Sequence, residues 1–179
     1  MTEIGLLGPE NTFHDLARKR HFPESSPVFF KSFDKIFRAL EEKKIDNAII
    51  ALENTLAGKV LDNEDRIQRS QLTVVQTFHY QIDLYLASRQ SNKLMGIKKI
   101  FSHPMAIKET QKFFSKYSHI KFIASGSSSG AIEEMKNSFD KHSAVICSKE
   151  ASMNEQLIII AESIQDEDQN FTKFALVKA

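Results

Sequence analysis

The chain has no tryptophan, a single cysteine, four prolines and six glycines in 179 residues. One cysteine cannot close an internal disulfide, which excludes the disulfide-stapled secreted class and points to a reducing compartment. That residue, Cys147, closes the apolar run Ala144-Val145-Ile146-Cys147, where a buried structural thiol is expected rather than a nucleophile. Charge of one sign is also missing. Lys plus Arg (24) nearly cancels Asp plus Glu (23), so no nucleic acid or other polyanionic partner is expected. No stretch approaches the roughly 20 apolar residues of a membrane span. The start, from Met1 to Pro9, has no basic region and too short an apolar run for a signal peptide. A cytoplasmic protein with no membrane partner is the expectation.

What is present is ordinary for a globular chain: 41% hydrophobic and 26% charged residues, enough for one domain or two small lobes. Short apolar runs alternate with amphipathic stretches. Strands are expected at Ile4 to Leu7, Val28 to Lys31 and Ala48 to Leu52. Helices are expected at Thr12 to Phe22, after Ser32 as N-cap with Phe33, Ile36, Phe37 and Leu40 on one face, and at Lys59 to Gln68. Leu72 to Ser88 alternates for too long to be one ordinary strand and is expected to cross between lobes. The strand–helix pattern then restarts at Ile97 to Phe101, Ile120 to Ala124 and Ala144 to Cys147, and closes with strands at Leu157 to Ile160 and Phe174 to Val177. The expected fold class is therefore α/β, with largely parallel sheets in two lobes around a cleft. Lobe one takes residues 1–77 and 162–179 and lobe two takes 78–161, with hinges near Gln76-Thr77-Phe78 and Glu162-Ser163.

Asn11-Thr12, Ser102-His103-Pro104 and Ser127-Ser128-Ser129 each fall between a strand end and a helix start. Helix N-termini with flanking hydroxyls bind carboxylate or phosphate, and Pro104 suits a first helical position. The plainer reading is that each hydroxyl caps its own helix. Six histidines show no metal-ligand spacing, so no metal is expected. Gly8-Pro9 lacks the glycines of a phosphate-cradling loop, and adjacent Ser102-His103 does not suit a nucleophile–base pair. The residues by themselves indicate an α/β protein that binds a small anion in a cleft.

Five motifs in order resemble the catalytic domain of the prephenate dehydratase family. They are Gly8-Pro9-Glu10-Asn11-Thr12-Phe13, Leu52-Glu53-Asn54-Thr55 with Gly58, Ser102-His103-Pro104, Ser127-Ser128-Ser129-Gly130-Ala131 and Asn170-Phe171-Thr172-Lys173-Phe174. The resemblance covers nearly the whole chain. It implies a two-lobed fold like the type II periplasmic binding proteins, with an interlobe active site. It implies a carbon–oxygen lyase of phenylalanine biosynthesis that turns prephenate into phenylpyruvate, releasing water and carbon dioxide. No cofactor is expected, since aromatisation drives the reaction. By motif match, Thr172 would hydrogen-bond or protonate the leaving hydroxyl, Asn54 and Ser102 would orient the dicarboxylate substrate, and Phe174 would line the ring pocket. Thr12, Thr55, Glu109, Ser127, Ser128 and Lys173 complete the expected substrate-binding set, and Glu53 would support it by pairing. A homodimer is an expectation from the resemblance alone, and no ACT regulatory domain is expected within these residues. Arogenate, or simple binding of a small anion without the chemistry, are the alternatives.

Six positions depart from the family's usual letters: Asn11, His14, Met105, Glu109, Gly126 and Lys173. Asn11 replaces a glycine and tolerates the left-handed conformation better than most residues. Lys173 replaces an arginine and loses the bidentate fork. Glu109 replaces a glutamine near the ligand. A carboxylate about 4 Å from a substrate carboxylate would cost on the order of 4 kcal/mol at an effective dielectric near 20, unless it is protonated or paired with a lysine such as Lys59 or Lys173.

Overall fold

The computed structural model describes residues 2–91 and 93–179. The chain forms two compact units, residues 1–81 with 171–179, and residues 82–170. These divisions fall later along the chain than the expected 77 and 162. The reason lies in the ladder between the nine-residue strand Thr73–Gln81 (β5) and the last strand, which continues past a register shift at Leu176/Val177 to Gln81↔Phe171.

In the first unit the order is β1 (Glu3–Leu7), α1 (Phe13–His21), β2 (Ser26–Phe30), α2 (Phe33–Glu41), β3 (Asn47–Asn54), β4 (Gly58–Lys59), α3 (Asn63–Arg69) and β5, with Phe171–Lys178 returning as the final strand, β11. The sheet order is β2-β1-β3-β11-β5, with β4 on β3. β1 runs parallel to β2 and β3, whereas β11 inserts antiparallel between β3 and β5. The sheet is thus mixed, where the sequence pattern suggested a largely parallel one. β3 reads as a near-continuous apolar run because both its faces are buried. Helix α2 starts where Ser32 accepts the Lys35 N–H at 3.4 Å and buries Phe33, Ile36, Phe37, Ala39 and Leu40 as one stripe. The stretch expected as helix from Lys59 opens instead on β4, which follows the turn at residues 55–57. Gly58 supplies the positive φ of 84° there, and the helix begins at Asn63.

The second unit contains β6 (Tyr85–Ser88), a short 3-10 turn, β7 (Lys99–Ser102), α4 (Pro104–Lys108), α5 (Gln111–Phe114), β8 (Lys121–Ala124), α6 (Ser128–Asn137), β9 (Ser143–Cys147), α7 (Lys149–Asn154) and β10 (Ile158–Ala161). Its sheet order is β10-β6-β9-β7-β8. β7, β8 and β9 are parallel, and β6 and β10 antiparallel. Wholly buried β9 packs with α6 and α7 around Phe101, Ile132, Met135, Val145, Cys147 and Leu157. Burial pushes the Cys147 thiol up to about 12, which fits an inert core residue.

The long alternation from Leu72 to Ser88 breaks at Ile82-Asp83-Leu84. There the backbone donors leave the ladder: Ile82 N–H donates to the Asn170 carbonyl at 2.8 Å and Leu84 N–H to Gln165 Oε1 at 2.9 Å. The chain therefore passes between units at Gln81/Ile82 and Asn170/Phe171, not at the expected hinge positions. The helix after Pro104 also splits in two. Thr110 Oγ1 donates back to the Ala106 carbonyl at 2.8 Å, and Lys112 and Phe113 N–H turn to Asp166 Oδ1 at 2.9 and 3.1 Å.

Candidate active-site residues

In the first unit, Asn54 and Thr172 face each other across β3 and β11. Asn54 Oδ1 accepts the Leu56 and Ala57 N–H groups, both at 2.8 Å, which fixes the amide's orientation. Its Nδ2 is thereby aimed at Thr172 Oγ1 and donates to it at 3.2 Å. An oxygen that accepts from Asn54 keeps its own O–H to donate elsewhere, so Thr172 is set up as a donor. Both side chains are buried. Thr55 extends the same edge: its N–H donates to the Phe171 carbonyl at 2.9 Å, and its Oγ1 accepts the Phe171 N–H at 3.0 Å. Its hydroxyl oxygen is thus engaged in holding the start of β11.

The turn from Gly8 to Thr12 joins β1 to α1. A Cβ on Gly8 would lie 2.7 Å from Phe29 Cβ, so this position excludes any side chain. Asn11 has φ of 65°, and its N–H donates to Asp15 Oδ2 at 3.0 Å. The left-handed conformation explains why asparagine can stand for glycine. Asn11→Ala is expected to cost about 1–2 kcal/mol, and Asn11→Gly to stay within about 1 kcal/mol, by urea unfolding. Equal losses in the two variants would show that the side chain matters and the backbone does not. Thr12, expected to meet substrate, instead donates to the Leu7 carbonyl at 2.9 Å and does not cap α1. Its role here is to close the turn.

Two further expectations in this unit change. Phe174 is only 1% exposed; it stacks on Phe78 (5.7 Å, 17°) and takes the His14 ring edge-on at 5.1 Å. It is an aromatic core residue on the same face of β11 as Thr172. Lys173 lies on the opposite face of β11 from Thr172 and Phe174, because strand side chains alternate. Its register neighbours are Glu53 on β3 and His79 on β5, and Glu53 in turn faces Lys59 on β4. Glu53 is exposed, and Lys59 makes its ion pair with Glu64 at 3.9 Å.

In the second unit, Ser102 ends β7 and Ser127 and Ser128 follow the adjacent parallel strand β8, at the carboxyl ends where α/β sheets bind ligands. Ser127 caps α6 by accepting the Gly130 N–H at 3.0 Å, and Ser128 is the first residue of that helix. The plain capping reading holds for Ser127. Ser102 does not cap α4; His103 does, its Nδ1 accepting the Met105 N–H at 3.2 Å. That bond places the ring proton of the neutral form on Nε2, and burial holds the imidazole below its ordinary value, which favours that form.

Glu109 is 4% exposed and accepts from Asn170 Nδ2 at 2.8 Å. Burial pushes its carboxyl up to about 7, with the Asn170 bond opposing the shift. Of the two escapes the sequence left open, burial favours protonation, and an asparagine partner takes the place of a lysine. Asn170 was read in sequence only as part of a motif, since its partner Glu109 lies 61 residues away, and the capping by His103 was assigned to its neighbour Ser102. Among the described residues, no group of three or more His, Cys, Asp or Glu gathers as metal ligands would, and no helix is long and apolar enough to cross a membrane.

Two mixed α/β units with a doubly crossing chain define the class of periplasmic-binding-protein-like folds. The chain aligns with an arginine-specific periplasmic binding protein of Salmonella typhimurium at a TM-score of 0.50, with 16% identity over 97% of this chain and 84% of that one. Likeness is greater to the prephenate dehydratase from Arthrobacter aurescens solved in complex with L-Phe: TM-score 0.87, 21% identity, 99% of this chain and 60% of that one. Residues 4–179 match the prephenate dehydratase family model, and the chain belongs to that family. The bifunctional chorismate mutase/prephenate dehydratase of Escherichia coli (strain K12) is 28% identical over 97% of this chain. The match takes in 46% of that relative, so the chain spans about half the length of the curated relatives it matches.

Proposed function

We propose that this chain, in a cytoplasmic setting, converts prephenate to phenylpyruvate. The ring hydroxyl takes a proton and leaves as water, the ring carboxylate leaves as carbon dioxide, and the released electron pair completes the aromatic ring. The observation that carries this reading is the Asn54–Thr172 bond, in which a fixed amide donates to the threonine and leaves its O–H for the departing hydroxyl. Threonine is a poor acid in water; its contribution is a donor already aimed at the oxygen where charge develops. Ser102 at the end of β7, with Ser127 and Ser128 at the start of α6, are hydroxyls of the kind that suits an anionic ligand. Membership of the family and agreement of the motifs support the assignment.

Purified protein incubated with prephenate near pH 8 is expected to release phenylpyruvate. Thr172→Ala is expected to lose about a hundredfold in kcat, and Thr172→Ser to keep most of the rate. Turnover by Thr172→Ala equal to the wild type would remove Thr172 from the chemistry. Arogenate tested in parallel decides between the two substrates by rate. Prephenate that raises the melting temperature without any product would instead mark a binding module.

A further inference from the structure

Thr172 has a neighbour on each side. Asn54 faces it from β3, and Tyr80 faces it from β5 in the same register. Side chains directly opposite on antiparallel strands share a face, with Cβ atoms about 4.5–5.5 Å apart. The shared face is confirmed one step along the strands, where Phe174 and Phe78, two residues from Thr172 and Tyr80, stack at 5.7 Å. The sheet therefore presents an amide, a hydroxyl and a phenol in one row, beside an aromatic floor completed by His14. His79 and Lys173, one position away on each strand, belong to the other face.

The three polar groups are not equivalent. Asn54 spends its carbonyl on Leu56 and Ala57 and an N–H on Thr172. Thr172 is the donor for the leaving hydroxyl under the function proposed above, on which this inference rests. Asn54 and Thr172 are 1% and 6% exposed, while Tyr80 is half-buried and has the longest side chain of the three. A dicarboxylate held over this row needs a donor for a carboxylate oxygen next to the reacting hydroxyl. We infer that Tyr80 is that donor, a substrate-contacting residue whose Oη hydrogen-bonds a carboxylate of the substrate while its ring borders the substrate ring. Tyrosine suits the task because its rigid side chain carries both an apolar surface and a donor.

A carboxylate bond kept in ground and transition states alike appears in KM and leaves kcat in place. Tyr80→Phe keeps the ring and removes only the donor. It is expected to raise KM for prephenate about tenfold with kcat within about twofold. An unchanged KM, or a loss confined to kcat, would overturn the assignment while leaving the proposed activity standing. Absence of turnover by the wild type would instead sink the activity. In that case calorimetry with prephenate reads Tyr80 directly: a Kd weakened about tenfold in Tyr80→Phe supports the contact. Equal affinities, or no binding by either protein, would overturn it.

Discussion

Asp15→Ala is expected to lower the free energy of unfolding by about 4 kcal/mol, whereas Lys19→Ala changes it by less than about 1 kcal/mol. Asp15 is fully buried and Arg18 5% exposed. Arg18 Nε and Nη2 both reach Asp15 Oδ1 at 3.0 Å, and Arg18 Nη1 donates to the Ser25 carbonyl at 2.7 Å. The other carboxylate oxygen accepts the Asn11 N–H and Lys19 Nζ, each at 3.0 Å. Removing the carboxylate strands a buried guanidinium and unfastens the left-handed residue of the Gly8-to-Thr12 turn. Lys19 is 40% exposed in its side chain, so water replaces what it loses. The double replacement Asp15→Leu with Arg18→Met leaves no buried charge and is expected to recover most of the loss. Chemical denaturation of the four proteins checks this. A loss below about 1 kcal/mol in Asp15→Ala would show that Arg18 finds another acceptor.

The strands and helices were legible because burial is local in its signature: β3 and β9 show as apolar runs, and α2 as a stripe after a capping serine. The left-handed Asn11 was legible too, since asparagine stands where a glycine was called for. The insertion of β11 between β3 and β5 was not, because pairing direction is set by strands far apart in sequence, as the 118-residue separation of Asn54 and Thr172 shows. The opposite facing of Lys173 and Thr172 needed only the two-residue period of a strand, applied within a motif otherwise read as a unit. The burial of Phe174 was not legible for another reason: the rings that cover it, Phe78 and His14, come from other elements and leave no mark beside it in sequence.

Glu109 combines both kinds of signal, and it predicts a pH dependence. Its departure from glutamine was visible in the sequence, but its partner Asn170 lies 61 residues away. The carboxyl titrates near 4.5 when unfolded and is pushed up to about 7 in the fold, chiefly by burial. Between those values the folded chain holds the extra proton, so stability falls as pH rises. The favourable contribution is complete below the unfolded value and gone above the folded one. The expected loss across that window is about 3 kcal/mol. Glu109→Gln keeps an acceptor for Asn170 and carries no charge, so it should lack this component. Urea unfolding of both proteins at pH 5 and pH 8 gives the test, with other titrating groups cancelling in the difference. Glu109→Gln should gain most on the wild type at the higher pH. A gain that is the same at both values would show that Glu109 does not change its protonation in this window.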